Sequence, residues 1–234
     1  SDITNMTAQF TENQTFTGDL NGKSATVDDG VTVTAAAADV TGDTIAAGGT
    51  GNIAVTALDA TLNANLSGLS SVGGAVTAAF DNSGTFTGNL GTATVTVADS
   101  QTMTAAYSVL NGKTVNHDGS ENAQGLVVTI NNADRAADLN NITSDITNIT
   151  AQFTENQTFT GNLRSKTATV DDSVTVTAAY SVLNGQTVNH DGSEDSQALV
   201  VTIAAADAAG DLSNITSDIT NMTAQFTENQ TFTG

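Results

Sequence analysis

The segment SDITNMTAQFTENQTFTG, residues 1–18, returns without a change as residues 217–234 and returns again as residues 144–161 with Ile149 in the place of Met6. A decayed fourth copy, FDNSGTFTG, runs from Phe80 to Gly88. Phe10, Phe80, Phe153 and Phe226 occupy the same place in the four copies, at spacings of 70, 73 and 73 residues. The later repeats match well beyond this segment. SVLNGKTVNHDGSENAQGLVVTI from Ser108 is mirrored by SVLNGQTVNHDGSEDSQALVVTI from Ser181. Self-similarity at a fixed period is the signature of a repeat architecture. The chain therefore reads as one continuous array over 1–234, with sub-repeats at about 1–70, 71–143 and 144–216, and with 217–234 opening the next.

A shorter period lies inside the long one. Thr residues that close a β-prone run, Thr7, Thr34, Thr56 and Thr77, are stepped by 27, 22 and 21 residues, and the later repeats follow suit. This divides each long repeat into three units averaging about 24 residues. Within each unit the apolar runs are short and rich in β-branched residues, as in ATVTV, LVVTI and NIAVTAL. Asn-Gly, Asp-Gly and Gly-Asn pairs bound them, and these residues tolerate the positive φ that tight turns need. A sustained 3.6-residue apolar period is absent, which sets helical repeats aside. The expected fold is all-β, a β-solenoid of stacked coils of about 24 residues with three coils per repeat. Three small antiparallel sandwiches are the competing architecture. All eight Phe fall in the repeated motif, and Tyr107 and Tyr180 take the place of its first Phe one coil later. In a stack of coils they are expected to line one inner column.

Composition narrows the function. Twenty-five acidic residues face five basic ones, for a net charge of −20, and Pro, Cys and Trp are absent. Five scattered cations cannot replace the counterions of a nucleic acid, so no nucleic-acid partner is expected. No apolar run reaches the length of a membrane span, and there is neither a disulfide nor a thiol nucleophile. No enzyme motif is present, and an enzyme is not expected. The two histidines, His117 and His190, are copies within the repeated NHDGSE, whereas a catalytic histidine needs partners placed once. They read as surface residues beside a turn. Asp118 with Glu121, and Asp191 with Glu194, place oxygen donors around that turn and are the candidate Ca²⁺ ligands, although the spacing fails the EF-hand pattern. Asp28-Asp29 and Asp171-Asp172 form a weaker pair. No cofactor is required by this reading, Ca²⁺ being the single candidate.

A Thr-, Asn-, Ala- and Gly-rich acidic chain without Cys, built from near-identical β units, resembles the repeat regions of large bacterial surface proteins. Filamentous-haemagglutinin-like adhesins and giant extracellular filament proteins are the class in question. The resemblance implies an extracellular or cell-surface location and a structural role in a filament or long surface fibre. Its partners would be further copies of the chain or contiguous repeats, joined head to tail through open strand edges. An adhesin module that binds glycan or a cell surface through its loops is the alternative. The sequence starts and stops at the same phase of its repeat, as a stretch taken from a longer array would.

Overall fold

The computed structural model describes residues 6–119, 123–192 and 196–234. Strands and isolated bridges account for 43% of the described residues and helices for 11%, and every strand pairing is parallel among those described. The chain falls into two compact units, one of residues 1–105, 112–126 and 142–148, the other of residues 106–111, 127–141 and 149–234.

In the first unit, β1 (Thr7–Phe10), β3 (Ser24–Val27), β5 (Thr44–Ala47) and β7 (Leu69–Ser71) form one sheet in that order. A second sheet is built from β2 (Gln14–Phe16), β4 (Thr32–Ala36), β6 (Asn52–Leu58), β8 (Val76–Phe80), β10 (Thr94–Val97) and β12 (Val115–His117). β9 (Gly84–Phe86) pairs with β11 (Thr102–Ala106). β13 (Gly125–Ile130) is divided between the units and, in the second, neighbours β14 (Asn148–Phe153), which continues to β16 (Thr167–Val170) and β18 (Val188–His190). The other sheet of the second unit orders β15 (Gln157–Phe159), β17 (Thr175–Ala179), β19 (Ala198–Ile203) and β20 (Asn221–Phe226).

Each strand lies against the strand one coil further along. The paired residues Ala8, Ala25, Ile45 and Leu69 carry the first sheet forward. Their offsets are 17, 20 and 24 residues. The same steps of 17 and 20 recur at β8–β10–β12 and at β14–β16–β18. These coils are mostly shorter than the expected 24-residue unit. The difference has a physical origin: the Thr marks hop between sheets. Thr7 pairs with Ser24 in the first sheet, whereas Thr34 pairs with Thr15 in the second. Three coils therefore end at Leu69, and the repeat equivalent of Ala8 is Ala78, which lies in the second sheet between Val55 and Val95. One long repeat carries a sheet through three successive pairings, and its equivalent strand then falls in a different sheet. In the second unit the equivalent strands β14 and β20 likewise belong to different sheets.

The step also separates the aromatic residues. Phe10 pairs with Val27 in the first sheet and Phe80 with Val97 in the second, so the Phe residues do not share one column. They do form core. Phe80, Phe86, Phe153 and Phe159 are all but inaccessible, and Phe153 meets Phe159 edge to face at 5.1 Å. Tyr107 and Tyr180 instead open short helical turns, α2 (Tyr107–Leu110) and α3 (Tyr180–Leu183), matching α1 (Ala37–Val40). Each turn is closed by a glycine at positive φ: Gly42, Gly112 and Gly185, at 79°, 73° and 75°. Along β4 and β17 the side chains of Val33, Ala35, Val176 and Ala178 are buried while the Thr residues and the last Ala take the half-exposed face, the period-two pattern of a strand covered on one side.

The glycine that closes TFTG is set by close approach of the preceding coil. A Cβ on Gly161 would lie 1.9 Å from the Ala137 carbonyl oxygen, and one on Gly88 2.2 Å from that of Ala64. Gly161→Ala is expected to cost about 1–3 kcal/mol by forcing the two coils apart, read as a lower urea midpoint, whereas Gly112→Ala would be penalised through its positive φ alone.

Candidate functional site

The repeated NHDGSE segment begins at the last residues of β12 and β18. Glu121 and Glu194, one half of each candidate Ca²⁺ pair, lie outside the described residues. Asp118 is exposed and accepts from the Asp99 N–H at 3.2 Å and from Gln124 Nε2 at 3.3 Å. Asp191 is likewise exposed, and Gln197 Nε2 stands 3.5 Å from it and 2.8 Å from Asp172 Oδ1. Among the described residues no three His, Asp or Glu side chains come together as a ligand set. The other acidic pairs work as struts between coils. Asp28 accepts from Gln9 Nε2 and Asp171 from Gln152 Nε2, both at 2.7 Å. Asp29 Oδ1 takes both the N–H and the hydroxyl of Thr50, and these bonds hold its carboxyl below the ordinary aspartate value.

The structure adds to the histidines a partner that local sequence reading misses. Val115 donates its N–H to the Thr143 carbonyl, continuing the β12 ladder onto the next pass of the chain. The ladder's next rung has no carbonyl to receive it. Instead the His117 N–H donates to Asp145 Oδ1 at 2.7 Å, and His117 Nε2 stands 3.5 Å from Asp145 Oδ2. The Gly119 N–H donates to His117 Nδ1 at 2.9 Å. That bond requires a bare Nδ1, so the neutral ring carries its proton on Nε2, aimed at the carboxylate. The second unit repeats the arrangement with His190, Asp218 and Gly192 at 2.8, 3.5 and 2.9 Å. The partners are 28 residues apart in both copies. The available signal was co-recurrence: NHDG and SDIT return together at the same offset.

His117, Gln124, Asp145, Thr147 and Asn148 border a hollow of about 410 Å³. Its chemistry is that of a hydrogen-bonding cleft. A histidine serving as general base needs one nitrogen for its orienting carboxylate and the other for a nucleophile. Here the second nitrogen is taken by the turn. The cations are dispersed as well: Lys113 Nζ is bonded to the Gly91 carbonyl, and Arg135 Nη1 lies 3.4 Å from that of Asn132. No helix among the described residues is long and apolar enough to cross a membrane. Compared with protein-family models, with curated proteins and with solved structures, the chain matches none.

Two predictions follow from these carboxylates. Asp145→Ala or Asp218→Ala removes the acceptor that ends the ladder and should cost about 0.5–1.5 kcal/mol in urea unfolding; Asp145→Asn, which keeps an oxygen for the His117 N–H, should cost less. Asp134 differs in sign. Burial pushes its carboxyl above the ordinary value of 3.8, against a bond from the Ser108 N–H, and its Oδ2 is buried without a partner. The folded state then holds that proton more tightly than the unfolded chain, so stability gains as pH falls through the raised value towards 3.8. Asp43 behaves alike, through burial. Asp59 and Asp211, held low by hydrogen bonds from Thr61 and Ser213, contribute stability above 3.8 that is lost below it. Asp134→Asn should therefore raise the thermal midpoint at pH 7 and bring no gain below pH 3.8, as measured by calorimetry across that range.

Proposed function

We propose that this chain is a β-solenoid segment of an extracellular filament or long surface fibre, lengthened head to tail at its open strand edges by further copies or by contiguous repeats. The parallel pairing of each strand with the strand one coil onward supports the solenoid reading. One comparison carries the assembly reading. The residues NITAQF of β14 sit between neighbouring strands with Phe153 inaccessible, while the nearly identical NMTAQF of β20 is exposed at every position, Phe226 at 48% and Met222 at 39%. The same apolar residues are thus buried in β14, which pairs on both sides, and exposed in β20, which pairs on one side among the described residues. An open parallel edge with an apolar inner face templates another strand, and a heterologous contact of this kind extends without closing.

The role is mechanical and not catalytic in this reading, which agrees with histidines whose ring nitrogens are both engaged. The net charge of −20 keeps neighbouring fibres apart. Moderate salt should leave single fibres intact, because main-chain bonds and apolar contacts hold them, while divalent cations or mild acid should draw them into bundles.

Phe226→Asp is expected to abolish fibres in negative-stain images while leaving the unfolding midpoint near that of the parent chain. Phe153→Ala, within the packed interior, should instead lower stability by about 3–5 kcal/mol. Loss of fibres in neither variant, or their absence in the parent chain across a wide concentration series, would remove the assembly reading.

A further inference from the structure

His117 is followed at once by Asp118-Gly119, and His190 by Asp191-Gly192. An aspartate before a glycine carries a reaction of its own. The glycine nitrogen can attack the aspartate side-chain carboxyl and close a five-membered succinimide, and glycine favours the attack because no Cβ crowds its nitrogen. The chain holds one further pair of this kind, Asp29-Gly30. The three pairs differ in what the glycine N–H meets.

At Gly119 the N–H donates to His117 Nδ1 at 2.9 Å, and at Gly192 it donates to His190 Nδ1 at the same distance. A heavy-atom separation of about 2.6–3.2 Å is the working reach of a general base. The other ring nitrogen of each histidine faces Asp145 Oδ2 or Asp218 Oδ2 at 3.5 Å. The same two aspartates hold the histidine main chain through Oδ1. Carboxylate, imidazole and N–H therefore stand in the order of a hydrolase triad, with an amide nitrogen in the place of the hydroxyl. The carboxyl under attack is held too. The Asp99 N–H at 3.2 Å and Gln124 Nε2 at 3.3 Å face the Asp118 oxygens, where negative charge develops as nitrogen adds. Room for the ring is present, because a Cβ on Gly119 or Gly192 would meet no heavy atom within 4 Å. Asp29-Gly30 is built differently. There the glycine N–H turns to the Asp29 carboxylate itself and, with both bonds from Thr50, holds that carboxyl below the ordinary aspartate value. An ionised carboxylate is a poor electrophile, and this nitrogen has no imidazole to take its proton.

We propose that Asp118 and Asp191 are sites of self-catalysed isomerisation to isoaspartate, with His117 and His190 as the bases. In the fraction of molecules whose Asp118 carboxyl is protonated, the Gly119 nitrogen bonds to Cγ while His117 Nδ1 takes the nitrogen's proton. The imidazolium returns that proton to the carboxyl's hydroxyl, whose bond to Cγ breaks, and water leaves. Water then reopens the succinimide. Cleavage between the Gly119 nitrogen and Cγ restores aspartate. Cleavage between that nitrogen and the main-chain carbonyl carbon leaves the chain running through Cγ, which is isoaspartate. The water lost in the first step is regained in the second, and nothing is oxidised. Each isoaspartate lengthens the main chain of the turn by one methylene group and moves the carboxylate onto the α-carbon.

The test is to age the parent chain in neutral buffer, digest it, and read each Asp-Gly peptide by electron-transfer fragmentation, which separates isoaspartate from aspartate at equal mass. Isoaspartate should accumulate at Asp118 and Asp191 about tenfold faster than at Asp29, or more. His117→Asn keeps an oxygen for the Gly119 N–H but supplies no base. It should slow Asp118 to the rate of Asp29 while Asp191, in the same molecule, keeps the parent rate. Equal rates at the three pairs of the parent, or no isoaspartate at any of them, would overturn the assignment. So would an unchanged rate at Asp118 in the variant, or a fall at Asp191 as large as that at Asp118.

Discussion

Parallel main-chain pairing between a strand and the strand one coil later is the constraint on which everything else in this molecule rests. A parallel ladder needs a return path for the chain between each pair of strands, and here that path is the rest of one coil, 17 to 24 residues long. Once the ladder is set, equivalent positions fall beside one another. A Val or Phe that faces inward meets another apolar residue, as Phe10 meets Val27 and Val33 meets Ile53. Turns must then fall at matching places, which is why positive-φ glycines close each helical turn and why TFTG ends in a residue without a side chain. The acidic residues serve the same end. Asp28, Asp29, Asp145 and Asp171 spend their oxygens on donors from other coils.

Much of this was legible in the sequence, and its limits are instructive. Repetition, short β-prone runs and Asn-Gly turns give a strand-rich array directly, and the Phe motif announces the core. The Thr spacing overstates the offset between paired strands because Thr serves the outer face of every sheet. Thr7 and Thr34 look equivalent in sequence yet belong to different ladders, and a residue type common to all sheets cannot index any one of them. The surer index is the register of the apolar residues, Ala8 to Ala25 to Ile45, which becomes visible only when the strands are aligned.

The His–Asp corner was hidden for a different reason. His117 looks like a turn residue and Asp145 like an ordinary acidic residue in a repeated tetrapeptide. Their relation is one of ladder geometry: a strand end leaves an N–H facing a pass of chain that has already turned away, and a carboxylate fills the gap. No local propensity encodes such a meeting.

The stepping of the repeat from one sheet to the next has a consequence for how such a chain can change over time. Tandem duplications grow and shrink by unequal exchange, and in most stacked folds one unit more or less simply lengthens or shortens the array. Here a gained or lost copy keeps every ladder intact yet reassigns each downstream strand to a different sheet. Copy number in this molecule therefore sets sheet membership as well as length.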